Sequence, residues 1–313
     1  MENEKMRAVI CTAYGLPNVL KIKSIDKPIP QPNELLIKIM ASAVNSGDAR
    51  VRALKANFIL RFMMRLIFGF IRPKNPILGT VYAGIIEQIG EQVKDFKVGD
   101  EVYGLTGFKF GTYATYITVN EQSVIIAKPK NATFEEAAAI AFGGQTAIYF
   151  LQKTKIAEIP NLNILVYGAT SSVGTAVIQI AKYYQANITA VCSESGRGLA
   201  MSLGANKVMD YKTEDFTQLP NKYDIIFDAV GKISNRECKN IIAKNGIFVT
   251  VGGLEIAKET SEQLLFLREQ FENGKYNATI DRIYSIDEIV EAHAYVDTGR
   301  KKGNVVLKIT DNY

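Results

Sequence analysis

Residues 162–182, LNILVYGATSSVGTAVIQIAK, restrict what this chain can fold into more than any other stretch. A short apolar run, 162–167, ends at Gly168, passes five small or turn-prone residues, reaches Gly174 and continues as a helical pattern. A strand, a tight turn and a helix in that order present backbone N–H groups, and the positive end of the helix dipole, to a pyrophosphate. The strict pattern G-x-G-x-x-G is not met, because Ala169 and Ser171 hold its first two glycine positions. Such turns also occur without a ligand, so the rest of the sequence has to decide.

The turn sits within a series of β and α units. Strand 162–167 and helix 172–184 are followed by strand 188–192, helix 196–203, strand 207–209, strand 224–228, helix 234–243 and strand 247–251. That alternation predicts a doubly wound parallel sheet with helices on both faces, an α/β fold. Thr133 and Glu136 form a capping box that opens an Ala-rich helix. Before it, the patterning differs. Segments such as 7–11, 35–41, 83–89, 101–104 and 112–119 alternate apolar and polar residues between Pro- and Gly-marked turns, as half-buried antiparallel strands do. The expected division is 1–127 as a β-rich barrel completed by the tail 266–313, with 128–265 as the dinucleotide-binding domain.

Later strand ends support the nucleotide reading. Ala229 and Val230 follow the strand at 224–228, and Gly252 and Gly253 follow the strand at 247–251. In open α/β sheets the ligand crevice lies outside the carboxyl ends of the strands, so small residues there leave a groove. Ala169 and Ser171 are small enough for close phosphate approach, and Thr170, Ser171 and Ser172 add hydroxyl donors beside Val173 and Gly174. The second strand ends in Cys192 rather than the Asp or Glu that takes a ribose 2′-OH in an NAD site. Ser193 and Arg197 can meet a 2′-phosphate, which favours NADPH over NADH; Glu194 argues the other way.

The bulk properties exclude several classes. A net charge of +5, scattered without a basic run among aromatics, does not make a nucleic-acid surface. Three distant cysteines and one histidine, His293, supply neither a disulfide framework nor a clustered zinc site. The opening MENEKMRAVI lacks the apolar stretch of a signal peptide, so a cytoplasmic, reducing compartment is expected. Segment 58–71, FILRFMMRLIFGFI, is apolar but interrupted by Arg61 and Arg65, and it is too short for the roughly 20 residues of a spanning helix. A buried or acceptor-lining helix is expected there, with an interfacial helix on a membrane surface as the alternative.

These residues resemble the zinc-free quinone-oxidoreductase (zeta-crystallin-like) branch of the medium-chain dehydrogenase/reductase superfamily. The resemblance runs from Met6 to Ile309 through AVNSGD (43–48), PILGTVYAGIIEQIG (76–90), VGDEVYG (98–104), FGGQTA (142–147), YGATSSVG (167–174), SLGANKVMDY (202–211) and DAVG (228–231). GKYNATIDRIY (274–284) and EAHAYVDTG (291–299) complete it. It implies a GroES-like β-barrel catalytic domain, a Rossmann domain, an active site in the cleft between them, and a homodimer. It places Asn45 and Asp48 beside the nicotinamide, Thr146 and Asn304 near its carboxamide, and Tyr211 near the adenosine phosphate. Where some relatives have a tyrosine as proton donor this chain has Arg50, so either water gives the proton or Arg50 stabilises an oxyanion.

The zinc-dependent branch uses a Cys in the first motif and Gly-His-Glu in the second. Here Ser46 or Gly47 stands near the former, and Gly79-Thr80-Val81 replaces the latter. Those residues lack the donors zinc requires, and His293 reads as a packed structural histidine. Without a Lewis acid for alkoxide formation, the chemistry left is hydride transfer from NADPH to a small quinone or α,β-unsaturated carbonyl. An NADPH-binding structural or sensor protein with little turnover is the alternative.

Overall fold

The computed structural model describes residues 4–55 and 58–310. It divides into two compact units, Met1–Ala141 with Ile280–Tyr313, and Phe142–Thr279.

The first unit is built on antiparallel pairing. Strands β1 (Lys5–Cys11) and β2 (Leu20–Asp26) form a two-stranded sheet. Strand β3 (Glu34–Val44) is followed by helices α1 (Ser46–Ala53) and α2 (Phe58–Phe68). Strands β4 (Val81–Ile89), β5 (Glu101–Leu105), β6 (Tyr116–Asn120) and β7 (Ile125–Ala127) come next, then α3 (Phe134–Leu151). β3 pairs antiparallel with β4 and β6, and its outer half carries the C-terminal strand described below. Val9, Leu35, Ile37, Ile39, Leu78 and Val102 are fully buried in its core. The capping box at Thr133 forms: Thr133 N donates to Glu136 Oε2 at 2.9 Å and Glu136 N to Thr133 Oγ1 at 3.1 Å.

The second unit holds β8 (Asn163–Tyr167), α4 (Ser172–Tyr183), β9 (Asn187–Cys192), α5 (Arg197–Leu203), β10 (Lys207–Asp210), β11 (Tyr223–Asp228), β12 (Ile242–Thr250) and α6 (Ser261–Glu272). All five strands are parallel, in the order β10-β9-β8-β11-β12. Chain order therefore reverses between β8 and β11, which makes the gap at their carboxyl ends the topological switch point of a doubly wound sheet. The chain then returns to the first unit as β13 (Ile280–Ser285), α7 (Ile289–Asp297) and β14 (Asn304–Lys308), with β14 antiparallel to β3.

Two expectations need correction. Helix 234–243 does not form: a single turn at Glu237–Asn240 is followed directly by β12, which starts at Ile242 rather than 247. Ser234 and Glu237 do cap each other, Ser234 N donating to Glu237 Oε2 at 2.7 Å. Ile242 then pairs with Tyr223 and, after an irregularity, 247–250 continue the ladder on β11, so tertiary pairing overrides the cap. Helix α2 forms within 58–71 but is not buried: of its residues only Met64 is.

Candidate functional site

The phosphate-binding turn is built by its own backbone. Gly168 closes β8 at φ +72°, a left-handed conformation, and a Cβ there would lie 2.6 Å from Val230 Cγ1. Its N–H and that of Ala169 both donate to Val191 O, at 3.0 and 3.2 Å. Ser171 is the N-cap of α4, its Oγ accepting from Gly174 N at 3.0 Å. A Cβ on Gly174 would overlap the Gly168 carbonyl oxygen, so the third glycine of the pattern permits the close helix–strand approach. Ser171 Oγ also reaches Ala229 O at 3.4 Å, tying the turn to the end of β11 across the switch point. Gly168, Ala169, Ser171, Gly174, Ala229 and Val230 are thus one cluster, with Thr170 flanking it and Ser172 and Val173 opening α4 in front of it.

The neighbouring strand ends carry the residues expected for the adenosine side. A Cβ on Gly196 would sit 2.7 Å from Thr170 Cγ2, which packs the 194–196 turn against the phosphate turn. Arg197 Nε donates to both Glu194 carboxylate oxygens at 2.9 Å, and its Nη1 donates to Val208 O at 2.9 Å. The ion pair holds the Glu194 carboxyl below its usual range. Ser193 Oγ lies 3.2 Å from Ser195 Oγ, and Tyr211 N donates to Cys192 O at 3.2 Å while its ring stays exposed. Ser193, Arg197 and Tyr211 therefore gather at the carboxyl ends of β9 and β10.

Asp228, which sequence pattern does not mark as a binding or positioning residue, holds the switch-point loop. Fully buried, its carboxylate accepts from Val230 N (3.2 Å), Gly231 N (2.9 Å), Ile233 N (3.2 Å) and Thr250 Oγ1 (2.9 Å). Thr250 Oγ1 accepts in turn from Gly252 N at 2.9 Å, which fixes the end of β12; Gly253 beyond it is exposed. Thr146 lies on α3, its hydroxyl donating back to Phe142 O at 2.9 Å, one turn from where Gly143 packs on Ser172.

In the first unit, Asn45 and Asp48 hold each other. Asn45 caps α1, accepting from Asp48 N at 2.9 Å, while Asn45 N donates to Asp48 Oδ2 at 3.3 Å. Asn45 Nδ2 donates to Thr80 Oγ1 at 2.8 Å, and Tyr113 OH donates to Asp48 Oδ2 at 2.8 Å. Burial and the Asp48 charge push the Tyr113 phenol well above its ordinary range, so it stays a donor. Val305 pairs with Val44 in the β14–β3 ladder, so Asn304 and Asn45 emerge side by side at one end of it, both buried. Arg50 lies on α1 and is exposed.

Beside this pair lies a buried cluster of His293, read from the sequence as a packed structural histidine, and Arg52, which the sequence does not single out. Arg52, wholly buried, donates from Nη2 to Asp297 Oδ2 at 2.5 Å, and its Nε and Nη1 have no partner. His293, also wholly buried, meets the Tyr113 ring edge-on at 5.7 Å, with neither ring nitrogen hydrogen-bonded. Burial first, and the Arg52 charge second, lower its pKa to about 3. The signal that could have found it was one histidine inside an amphipathic tail helix, which does not reveal what it packs on. Among the described residues no group of three or more His, Cys, Asp or Glu could hold a metal ion.

Comparison with known proteins agrees with this arrangement. The family model described as "Alcohol dehydrogenase GroES-like domain" matches residues 31–130, and that described as "Zinc-binding dehydrogenase" matches 172–276. The chain is 35% identical to a 2-methylene-furan-3-one reductase of Solanum lycopersicum, over 97% of this chain and 79% of that protein. It is 31% identical to a chloroplastic NADPH-dependent alkenal/one oxidoreductase of Arabidopsis thaliana, over 97% of this chain and 80% of that one. Its fold matches a quinone oxidoreductase from Coxiella burnetii with a TM-score of 0.88 at 24% identity, covering 98% of this chain and all of the other.

Proposed function

The chain belongs to the zinc-free quinone-oxidoreductase branch of the medium-chain dehydrogenase/reductase superfamily, and on that premise we propose that it transfers hydride from NADPH to a quinone or an α,β-unsaturated carbonyl. The observation that carries this reading is the turn at the β8/β11 switch point. There the left-handed Gly168, the Ser171 cap and the Gly174 contact set the turn at the N-terminus of α4, the place where a doubly wound sheet receives a pyrophosphate.

The residues present fit that cofactor. Gly168 to Gly174 cradle the pyrophosphate, with Ala229, Val230, Gly252 and Gly253 forming the adjoining wall. Ser193 and Arg197 take the 2′-phosphate and Tyr211 borders the adenosine, while Thr146 and Asn304 serve the carboxamide. NADPH over NADH is supported by Arg197 and by the NADPH-dependent relative; it requires Arg197 to turn partly from Glu194. When bound, the nicotinamide supplies the hydride, and the protein supplies orientation and exclusion of water. Asn45, fixed by Asp48 and Thr80, orients the acceptor oxygen. Arg50 steadies the negative charge that develops there, and water gives the proton.

A zinc-free reaction is supported by the residues themselves: Thr80 spends its hydroxyl on Asn45, and Val81 has no donor to offer. The dinucleotide-binding domain is taken as 128–265 and the catalytic one as 1–127 with 266–313. The working protein is read as a cytoplasmic homodimer, although several relatives are chloroplastic or mitochondrial. Consumption of NADPH with a simple quinone or enone tests the reading, and no turnover across a broad acceptor panel removes it.

A further inference from the structure

Helix α2 contributes little to the core it sits on. A residue step of about 100° places Leu60, Met64 and Phe68 on one line along the helix. These three reach inward: Met64 is buried in the core of the first unit, with Leu60 and Phe68 packed against it. The opposite face carries Phe58, Ile59, Phe62 and Leu66, with Met63 and Ile67 on one flank, all exposed, Phe58 to 86% of its surface. Arg61 and Arg65, one turn apart and both exposed, lie along the other flank between these faces. The apolar surface continues past the helix through Phe70 and Ile71, exposed to 58% and 84%. Phe108 extends it from another segment, its ring 5.7 Å from that of Phe68 and itself 57% exposed. A contiguous apolar patch of this kind on a folded unit marks an interaction surface.

Charge identifies the partner. Between Asp48 and Glu87 the chain has seven Lys and Arg and no carboxylate. Arg52 is buried, and Arg50, Lys55, Arg61, Arg65, Arg72 and Lys74 are exposed. Lys109 joins them from the Phe108 segment, which Asn75 Nδ2 holds by donating to Lys109 O at 3.1 Å. A bulky apolar face in a segment that carries cations and no carboxylate is complementary to an interface that is apolar within and anionic at its surface. A water-facing helix would carry interspersed carboxylates, and a hydrophobic subunit interface would not need the uniform charge.

We propose that α2 and the loop after it dock the protein peripherally on an anionic lipid surface. The apolar face enters the headgroup–acyl boundary, and Lys55, Arg61, Arg65, Arg72, Lys74 and Lys109 meet anionic headgroups. The α2 helix is too short to span, and no described helix is long and apolar enough to cross a membrane.

The test is co-sedimentation of the full chain with vesicles of phosphatidylcholine containing ~30 mol% phosphatidylserine, against vesicles of phosphatidylcholine alone. The wild type is expected to bind the anionic vesicles and to be released by raising salt from about 0.1 M to about 0.5 M, because the Debye length falls roughly twofold. Phe62→Ser with Leu66→Ser, both exposed in the wild type, should lower the apparent partition at least tenfold. Arg61→Glu with Arg65→Glu should do the same, so a folding defect in one pair leaves the other to decide. Far-UV circular dichroism checks each. Absence of wild-type binding to the anionic vesicles overturns the proposal, as does binding indifferent to both charge and salt. A wild-type dimer that Phe62→Ser with Leu66→Ser converts to monomer, without lipid binding, also overturns it and assigns the face to a second copy of this chain.

Discussion

Replacing His293 with Leu should remove an acid sensitivity built into the first unit. His293 is fully buried among Tyr113, Arg52 and the apolar face of α7, and both ring nitrogens lack partners. Protonating it would place a second cation beside the buried Arg52 guanidinium. Burial is the larger cause of its lowered pKa, about 3 against an ordinary 6.5, and Arg52 the smaller. The folded protein therefore resists a proton that the unfolded chain accepts. The stability His293 contributes is present above pH 6.5 and is lost as the pH falls from there toward 3. With 1.36 kcal/mol per pH unit, the loss between pH 7 and pH 5 comes to about 2 kcal/mol. That figure is insensitive to the folded value, since any pKa below about 4 gives nearly the same loss at pH 5. Urea unfolding of wild type and His293→Leu at both pH values, followed by tyrosine fluorescence and far-UV circular dichroism, measures it. The variant keeps the carboxylate-driven part of the acid response, so its fall from pH 7 to pH 5 should be smaller by about 2 kcal/mol. Leu also removes two unpartnered polar atoms, so stability at pH 7 should not fall by the several kcal/mol of a lost hydrogen-bonded group. Parallel declines in the two proteins, differing by less than ~0.5 kcal/mol, would refute the argument.

Three further outcomes follow from the site. Gly174→Ala forces α4 away from the Gly168 carbonyl, an overpacking cost of roughly 1–3 kcal/mol, and should weaken NADPH binding about tenfold in a fluorescence titration; unchanged affinity would contradict the close-contact reading. Glu194→Gln releases Arg197 from its carboxylate partner and removes a negative charge beside the 2′-phosphate position, so the preference for NADPH over NADH should rise, whereas Arg197→Ala should abolish it. Asn45→Ala removes the cap of α1 and the Thr80 hydrogen bond, at a cost of about 1 kcal/mol of stability, and should lower turnover with the acceptor while leaving NADPH affinity intact. An equal loss of both would move Asn45 from acceptor positioning to general folding.

The parts of this architecture legible in the sequence are those set by local pattern. The apolar run ending at Tyr167, the helix starting at Ser172 and the Thr133–Glu136 box depend on neighbours within four residues, and each lies where its pattern placed it. The missed features depend on contacts distant in sequence. Segment 234–243 has a valid cap, but only the single turn at Glu237–Asn240 forms, because Ile242 pairs with Tyr223 and starts β12. Asp228 reads as one member of a small-residue turn, and only the fold brings Thr250 to its carboxylate. Tyr113 reaches Asp48 across 65 positions, and Arg52 reaches Asp297 across 245, separations that periodicity cannot see. The apolar content of 58–71 suggested burial, because composition states what a helix can cover and not whether anything covers it.

The central claim is that this chain moves hydride from NADPH to an activated acceptor. Its most direct test is the loss of reduced-nicotinamide absorbance with NADPH and, separately, NADH, against simple quinones, α,β-unsaturated ketones and aldehydes, and saturated alcohols and ketones, each with and without a chelator. The account predicts turnover with quinones or enones, faster with NADPH, unaffected by the chelator and absent with the saturated compounds. Tight NADPH binding with no oxidation by any acceptor would contradict it, and chelator-sensitive turnover of a saturated alcohol would contradict it equally.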